Sequence, residues 1–500
     1  MKSASKNMIL AVIARVVTII TGVIVQRYIL ISFGSVLNGL TSSITQVMSY
    51  LVLLEAGLGS ASIQALYYPL AQNEWRKISR IITATGKEYK KISAIFTACL
   101  LVISVILPLS TIEEVDYSVA ALLTLITGGS SVASYIFGGK YKALLNADRK
   151  VYILYYFDIA TILLSCILRV FALQAGKGIV FVQFLNLLTV GFKNIGYLLY
   201  VKSKYKFIDY KAEPDERAIS KRWNVLIHSI AGIVVNHTDI VILTLFASLK
   251  TVSLYSVYNM VFGQMSNMIQ MVFTQAPQAS FGKLYNQDKE KFTKIYLAYE
   301  SIFTALLCVL VSISLVMILP FVKIYTAGIN DITYIDWRLQ VLFALILLMS
   351  QLRAPAIIAI NVTGYFKETQ NGAIIEAIIN IVVSLFLFFA VDMGIYGLLI
   401  GTVISYIYRT TDVIIFVYKK ILQKKLKKYV SMLVTNLLGV MLIAFVFNIK
   451  LPVDVENFSM WVVKACVIGI ITCAVFFLGN YWGNRKNVML AFSYVKKTIF

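Results

Sequence analysis

Apolar segments of about twenty residues recur along the whole chain, and short polar breaks separate them. A helix needs about 20 apolar residues to cross the hydrocarbon core of a bilayer. The pattern therefore predicts fourteen membrane-spanning helices. Their approximate bounds are 8–30, 38–66, 92–110, 118–138, 152–173, 179–200, 223–247, 253–277, 296–320, 339–361, 373–391, 395–417, 430–449 and 460–480. Two glycines, Gly57 and Gly59, interrupt the second segment.

Composition excludes the soluble classes of protein. Hydrophobic residues make up 59% of the chain and charged residues 14%. Soluble globular proteins average about 45–50% apolar and about 25% charged residues. A soluble enzyme, a disordered chain and a fibrous repeat are therefore excluded, and the sequence predicts an all-α polytopic membrane protein.

The positive charges predict the orientation of the chain. With a cytoplasmic N-terminus, 34 of the 46 lysines and arginines fall in the inner loops and termini, and seven fall in the outer loops. Cytoplasmic loops of membrane proteins carry such an excess, so we predict that both termini are cytoplasmic. The same rule explains the net charge of +22 without a nucleic-acid partner, since no soluble basic domain is present.

Two six-helix lobes and two further helices are the predicted organisation. The longest inner loop, near residues 201–222, follows six spans and reads as a linker. A shift of 217 residues lays 62–81 on 279–298 and the first span on the seventh, as parallel repeats of transporters do. The predicted domains are 1–210, 211–425 and 426–500. The tail of the last domain is either an amphipathic surface helix or frayed.

Motifs for catalysis are missing from the sequence. It contains neither G-x-x-x-x-G-K-[ST] nor H-E-x-x-H. His228 and His237 are nine residues apart, which places them on opposite faces of a helix. The five cysteines lie in apolar runs without a C-x-x-C spacing, so we interpret them as small buried hydrophobic residues. We expect no enzymatic activity and no resident cofactor.

Charged side chains inside membrane spans are candidate functional residues, because burying them there is unfavourable. Five cations qualify: Arg15, Arg169, Lys193, Arg353 and Arg409. All except Arg169, which is near an outer end, lie roughly 10–12 Å from the predicted inner ends of their spans. These four predict a cationic ring that opens to the cytoplasm and takes an anionic headgroup, since arginine binds phosphate through two parallel hydrogen bonds.

Local neutralisation is the alternative interpretation of the same cations. Their long side chains could place the charge at the membrane–water interface, or the charged groups could form structural ion pairs with acids. The candidate pairs are Lys193 with Asp158, Arg353 with Glu376, and Arg409 with Asp412.

Two acids are candidates for binding a coupling cation, H⁺ or Na⁺. Glu55 lies near the middle of the second span, before Gly57, where we expect the helix to loosen. It either titrates or pairs with Arg15. Asp239, in the seventh span, is the weaker candidate. Pro277 and Pro355 lie inside spans and are expected to kink them.

A family resemblance rests on several features taken together. Arg27 ends the first span, Gly34 and Gly39 follow, and the second span ends in LEAGLGSASIQALYYPLAQNE. With fourteen spans in a 6+6+2 arrangement, the chain resembles the polysaccharide-transporter branch of the multidrug/oligosaccharidyl-lipid/polysaccharide exporter superfamily. The resemblance covers essentially the whole chain.

The resemblance implies a lipid-linked sugar flippase. Members of this branch carry a polyprenyl-pyrophosphate-linked oligosaccharide across the cytoplasmic membrane by alternating access, for capsule, exopolysaccharide or O-antigen synthesis. It implies that the pyrophosphate meets Arg15 and Arg353 while the polyprenyl tail stays among the membrane lipids. A polysaccharide polymerase is a possible partner. Gln46, Gln64, Asn236 and Gln264 could contact sugar or join helices.

Two other transport functions stay open. Peptidoglycan-precursor flippases of the superfamily also carry an arginine in the first span, as Arg15 does here. Cation-coupled multidrug antiporters place an acid in the first span, and this chain has none there. A non-transporting partner of a polymerase is a further alternative.

Overall fold

The computed structural model describes residues 2–55, 57–219 and 238–499, and the regular structure in these ranges is helical. The first helices are α1 (Lys2–Leu51), α2 (Leu58–Ala71), α3 (Trp75–Ser110), α4 (Tyr117–Ala133), α5 (Gly139–Ala147), α6 (Val151–Gln174), α7 (Ile179–Lys204) and the helical residues 238–246, here α8. The others are α9 (Leu249–Ile269), α10 (Ala276–Gln287), α11 (Lys289–Tyr325), α12 (Trp337–Leu352), α13 (Ala354–Thr363), α14 (Phe366–Leu385), α15 (Gly394–Phe416), α16 (Lys427–Phe445) and α17 (Phe458–Ile499).

The helices have apolar outer surfaces that suit a bilayer. In the described part of the chain, eleven are long and apolar enough to cross a membrane. Helix α6, for example, exposes Leu163, Ile167 and Phe171. Contiguous apolar surface of this extent is unfavourable in water and favourable against lipid. The chain is therefore an all-helical, multi-pass membrane protein.

Helix α1 is broken at one residue. The sequence predicts a break over 31–37, but the structure confines it to Gly34, whose φ of 76° and ψ of −174° fall outside helical geometry. Side chains disfavour that backbone conformation, and glycine tolerates it. The Ser35 backbone N–H donates to Asp331 Oδ2 at 2.8 Å, and the Ser35 hydroxyl donates to Oδ1 at 2.6 Å. Asp331 therefore caps the second half of α1 as an N-cap residue does.

The second predicted span is not one helix. After α1 ends, Val52–Glu55 forms a 3₁₀ turn, Gly57 adopts a φ of 86°, and α2 begins at Leu58. The predicted continuous segment 38–66 is therefore wrong, whereas the predicted loosening of the helix beside Glu55 is confirmed. Hydrophobicity alone could not find the interruption, because the residues on both sides are apolar.

The chain divides into two compact units. The first comprises Met1–Leu254 together with the short segment Gly328–Ile332. The second comprises Tyr255–Ala327 and Thr333–Phe500. The short segment thus packs with the first unit although its neighbours along the chain belong to the second.

The first unit is a bundle around two apolar clusters. Helix α1 packs on α6, α3 packs on α4, and α7 packs on both α4 and α6. Ile44, Phe96 and Leu123 lie in one cluster, and Leu144 and Tyr197 lie in the other. These side chains are less than 1% exposed, so the packing places the polar groups described below at fixed positions.

The second unit is built around the long helix α11. This helix packs against α12, α16 and α17, and α15 packs against α12 and α14. Phe292, Tyr296, Val417 and Tyr429 lie in its buried cluster.

The two units repeat an order of elements. A short helix precedes a long one in each: α2 and α3 have 14 and 36 residues, and α10 and α11 have 12 and 37. A shift of 217 residues superposes the start of α2 on that of α10 to within one residue. The order of helices therefore supports the predicted repeat.

Both prolines follow an interruption of the α-helical hydrogen-bond pattern. Pro277 lies in the first turn of α10, after a π-helical segment at Gln270–Gln275, and Pro355 lies in the first turn of α13, after α12 ends at Leu352. Proline removes a backbone donor and so favours such an interruption within a span. The irregularities expected from these two prolines are therefore present.

The cysteines differ in burial, and the C-terminal tail is helical. Cys308 is buried as predicted, but Cys466 and Cys473 are exposed on α17, beside the exposed apolar residues Val467 and Ile470. The tail continues α17 as a helix to Ile499.

Candidate functional site

Arg353 lies at the junction between α12 and α13. Because Pro355 cannot donate a backbone hydrogen bond, α12 ends at Leu352 and a new helix begins at Ala354. The Arg353 guanidinium approaches Glu376 Oε1 to 2.6 Å and lies over the Tyr406 ring, 5.0 Å from its centroid. The ion pair and the cation–π contact together fix the orientation of the guanidinium.

Arg409 shares the same carboxylate. Its Nε is 3.7 Å from Glu376 Oε2, and its Nη1 is 2.7 Å from Asp412 Oδ2. The side chains of Arg353, Glu376 and Arg409 are 17%, 9% and 12% exposed. We call Arg353, Glu376, Arg409 and Asp412 the arginine cluster. Two predicted site residues are thus brought together, and the ion pairs weighed as the alternative for them are confirmed.

Gly372 leaves room for the arginine cluster. It faces this group from α14, and a Cβ atom added to it would lie 2.2 Å from Asp412 Oδ2 and 2.3 Å from Arg409 Nη1. Any side chain at this position would therefore displace the pair.

Lys193 belongs to a second charged group, in the first unit. Its Nζ is 3.1 Å from Asp158 Oδ1, which also accepts a hydrogen bond of 3.0 Å from the Tyr197 hydroxyl. The predicted Lys193–Asp158 pair is therefore confirmed. Lys142 interacts electrostatically with Lys193, Asp158 and Glu55. Lys142 was not among the predicted site residues, because the predicted spans leave it in an inner loop, whereas it lies within α5.

Glu55 is held by tyrosines. The Tyr89 hydroxyl donates to Glu55 Oε1 at 2.7 Å, and the Tyr135 hydroxyl faces the same carboxylate. The Tyr89 and Tyr135 rings stack with their centroids 6.3 Å apart. In the described part of the chain, Glu55 forms no ion pair with Arg15, so the pairing considered for them is not observed.

Arg15 differs from the other membrane cations. It is half-buried on α1, between apolar neighbours such as Ala14 and Val16. Within residues 2–55, 57–219 and 238–499, its guanidinium has no hydrogen-bond or ion-pair partner. A positive charge without a carboxylate partner can bind an anion without first displacing a side chain.

Arg169 and Asp239 each have a polar neighbour and belong to neither charged group described above. Arg169 Nη2 donates to Gln183 Oε1 at 3.4 Å, while its buried Nε has no partner among the described residues. Asp239 is 5% exposed and interacts electrostatically with Tyr50, whose hydroxyl lies 2.9 Å from Thr238 Oγ1.

The predicted ring of cations stays a prediction, because its members are divided between the two units. His228, Asn236 and His237 lie outside the described residues. Within the described residues, no group of three histidine, cysteine, aspartate or glutamate side chains could hold a metal ion.

The fold defines the class of protein as a multi-pass helical membrane protein, and solved structures of membrane transporters have a similar fold. The chain is similar to the lipid II flippase MurJ in an inward closed conformation, with a TM-score of 0.65 and 14% identity over 95% of this chain and 98% of that one. It is also similar to an inward-facing multidrug-resistance MATE family transporter of the MOP superfamily, with a TM-score of 0.66 and 13% identity over 82% and 98%.

A third similar structure is a MOP superfamily transporter from Pyrococcus furiosus, described as having a binding pocket of reversed polarity. Its TM-score is 0.57, with 12% identity over 85% of this chain and 97% of that one. No family model and no curated protein matches the sequence.

Proposed function

We propose that this protein is a flippase that carries a polyprenyl-pyrophosphate-linked oligosaccharide repeat unit across the cytoplasmic membrane by alternating access. The product would supply capsule, exopolysaccharide or O-antigen synthesis, and a polysaccharide polymerase would consume it. The transporter fold and the similarity of that fold to MurJ, a lipid II flippase, support a lipid-linked cargo.

The proposal rests mainly on the environment of Arg15. Its guanidinium lies in an apolar helix and has no carboxylate partner in the described part of the chain, so its charge is available to a diphosphate. Arginine suits this ligand because two parallel N–H groups match two phosphate oxygens. The polyprenyl chain of the cargo would remain among the membrane lipids.

The arginine cluster would bind the diphosphate by exchange. Glu376 accepts a hydrogen bond from Arg353 and forms an ion pair with Arg409, so an arriving phosphate would take over contacts that this carboxylate makes in its absence. Such an exchange keeps both guanidinium groups paired when no cargo is bound. Lys193 and Arg169 would contribute positive charge, and Glu55 and Asp239 are the candidate sites for a coupling H⁺ or Na⁺.

Replacing the two arginines tests the proposal. Arg15→Ala and Arg353→Ala should abolish surface polysaccharide while the protein level in the membrane stays normal, because the diphosphate loses its partners. Arg76→Ala, at an exposed position of α3, is the matched control and should leave polymer output unchanged. Full polymer output from both variants would exclude these arginines from the mechanism.

A cation-coupled multidrug antiporter is the second candidate function. The Glu55 carboxylate, held by Tyr89 in the first unit, and the similarity to a MATE transporter favour it. Expression would then raise drug resistance, and Glu55→Gln would remove that increase. A peptidoglycan-precursor flippase would instead be essential for growth in cells without surface polysaccharide.

A further inference from the structure

Glu300 is a buried acid that the site described above does not use. It lies on α11 in the second unit and is 4% exposed. The Tyr296 hydroxyl, one turn earlier, donates to Glu300 Oε1 at 3.3 Å. The Tyr418 hydroxyl, from the π-helical segment Val417–Leu422, donates to Oε2. Both carboxyl oxygens therefore have a hydroxyl partner.

Two further buried hydroxyls lie on the elements around this carboxyl. Tyr429, at the start of α16, interacts electrostatically with Glu300, and its ring centroid is 5.6 Å from that of Tyr418. Thr304 lies one turn beyond Glu300 on α11. Tyr429 is 5% exposed and Thr304 is 1% exposed. Neither hydroxyl has a hydrogen-bond partner among the described residues, so each can still donate or accept.

No cation neutralises Glu300 in the described part of the chain. The titratable groups that face it are Tyr296, Tyr418 and Tyr429, and Cys308 adjoins Tyr429. The lysines on the same elements all have exposed side chains: Lys289, Lys291, Lys294, Lys323, Lys419, Lys420, Lys427 and Lys428. Glu376 and Asp158 differ in this respect, because each faces a cation.

The surroundings of Glu300 suit the protonated carboxyl and tolerate the ionised one. An ionised carboxylate in an apolar interior is unfavourable without a cation, but hydroxyl donors reduce that penalty. A protonated carboxyl needs an acceptor for its own proton, and the hydroxyl oxygen of Tyr296 or Tyr418, each already within hydrogen-bond distance, can supply one. Hydroxyls that both donate and accept allow the group to change its protonation state without losing hydrogen bonds.

We propose that Glu300, with the hydroxyls of Tyr296, Tyr418 and Tyr429, is a proton-binding site in the second unit. The ligand is a proton that the carboxyl holds and releases to water. A sodium ion fits less well, because Tyr296 and Tyr418 direct their hydrogens toward the carboxyl oxygens. The site is separate from Glu55 and Asp239, and the proposal does not depend on which cargo the protein carries.

Infrared difference spectroscopy of the full chain in lipid nanodiscs tests the proposal. Stepping the pH from about 5 to about 9 should remove a carboxylic-acid C=O band from the spectrum. Glu300→Gln should lack this band. Glu290→Gln, which replaces a glutamate with an 80% exposed side chain on the same helix, is the matched control and should keep it.

A second variant keeps the test decisive if Glu300→Gln fails to fold. Tyr296→Phe combined with Tyr418→Phe keeps both rings and removes two donors, so the C=O band should move to higher wavenumber. Identical spectra for wild type and Glu300→Gln, or an unshifted band in the double variant, would overturn the assignment. Loss of the band when sodium replaces choline at constant pH would also overturn it, in favour of a sodium site.

Discussion

Glu376 faces two arginines at once, and this arrangement sets the charge of the arginine cluster. With Asp412, two carboxylates stand against two guanidinium groups, so the group is close to neutral when empty. Arg15 has no such compensation among the described residues. The two candidate phosphate contacts therefore differ: one guanidinium must give up a carboxylate, and the other has none to give up.

Gly372→Ala should separate Arg409 from Asp412. The added methyl group would overlap Asp412 Oδ2 and Arg409 Nη1, which are the ends of flexible side chains, so these side chains would move and the helices would stay in place. We expect reduced polymer output, with a Tm in detergent, measured by intrinsic fluorescence, that stays near the wild-type value. Gly22→Ala is the control, because nothing lies within 4 Å of a Cβ there, and its polymer output should be unchanged. Equal polymer output from the two variants would contradict a role for the pair.

The sequence alone suggests the ion pairs of the arginine cluster, but it does not suggest the contact between Tyr89 and Glu55. Asp412 is three residues from Arg409, and Glu376 follows Arg353 across one helical hairpin, so chain proximity suffices to suggest both pairs. Tyr89 is 34 residues from Glu55 and lies on α3, beyond the break in the chain at Gly57. That contact depends on backbone geometry, which hydrophobicity does not specify.

At the scale of single elements, α1 depends on a cap from a distant loop. Its second half begins at Ser35, whose N–H and hydroxyl both donate to Asp331. Burial raises the pKa of Asp331, but the hydrogen bonds from Ser35 and the charge of Lys250 outweigh that effect and hold the pKa below its ordinary value. The ionised carboxylate is the form that caps the helix.

Asp331→Ala should destabilise the protein at neutral pH and much less in acid. Replacing a capping aspartate with alanine typically costs about 1 kcal/mol. Because the pKa of Asp331 is lower in the folded state than in the unfolded one, the stabilisation is complete above about pH 4 and is lost as the pH falls through the folded value. The Tm difference from wild type, measured from pH 7 to pH 3, should shrink toward acid. Asn330→Ala, next in the loop, should show no such trend.

The prediction of elements is most exact where hydrophobicity is decisive and least exact at the breaks. A bilayer requires long apolar helices, and the predicted apolar segments correspond to such helices. A break at Gly34 or at Arg353 leaves hydrophobicity almost unchanged, because one glycine or one proline is enough to cause it. The predicted break over 31–37 is therefore narrower than expected, at Gly34 alone, and the interruption expected at Pro355 falls at Arg353. The predicted continuous segment 38–66 was wrong for the same reason.

At the scale of the molecule, each unit contains its own acid held by tyrosines. Glu55 accepts from Tyr89 in the first unit, and Glu300 accepts from Tyr418 in the second. The repeat does not relate these acids: a shift of 217 residues carries position 55 to Val272, on a different element from Glu300. The two sites are therefore independent features of the units.

A proton gradient should drive transport. In proteoliposomes that contain a labelled lipid-linked oligosaccharide, we expect an imposed proton gradient to accelerate flipping and a protonophore to remove that acceleration. A sodium gradient at constant pH should have no effect. Glu300→Gln should flip at the same rate with and without the gradient, and Glu55→Gln shows whether the first unit contributes. Acceleration by sodium alone would assign the coupling to another ion.

The π-helical segment at Ser134–Gly138, between α4 and α5, is a place where the chain can lose one residue. A π turn accommodates one residue more than an α turn. Deleting Ile136 would remove this extra residue and let α4 and α5 join as one regular α-helix, while the residues that follow keep nearly the same orientation. Lys142 would then still face Asp158 and Glu55. Homologues that are one residue shorter here should therefore keep a lysine at the aligned position, whereas a one-residue deletion within the regular part of α4 would turn it away by about 100°.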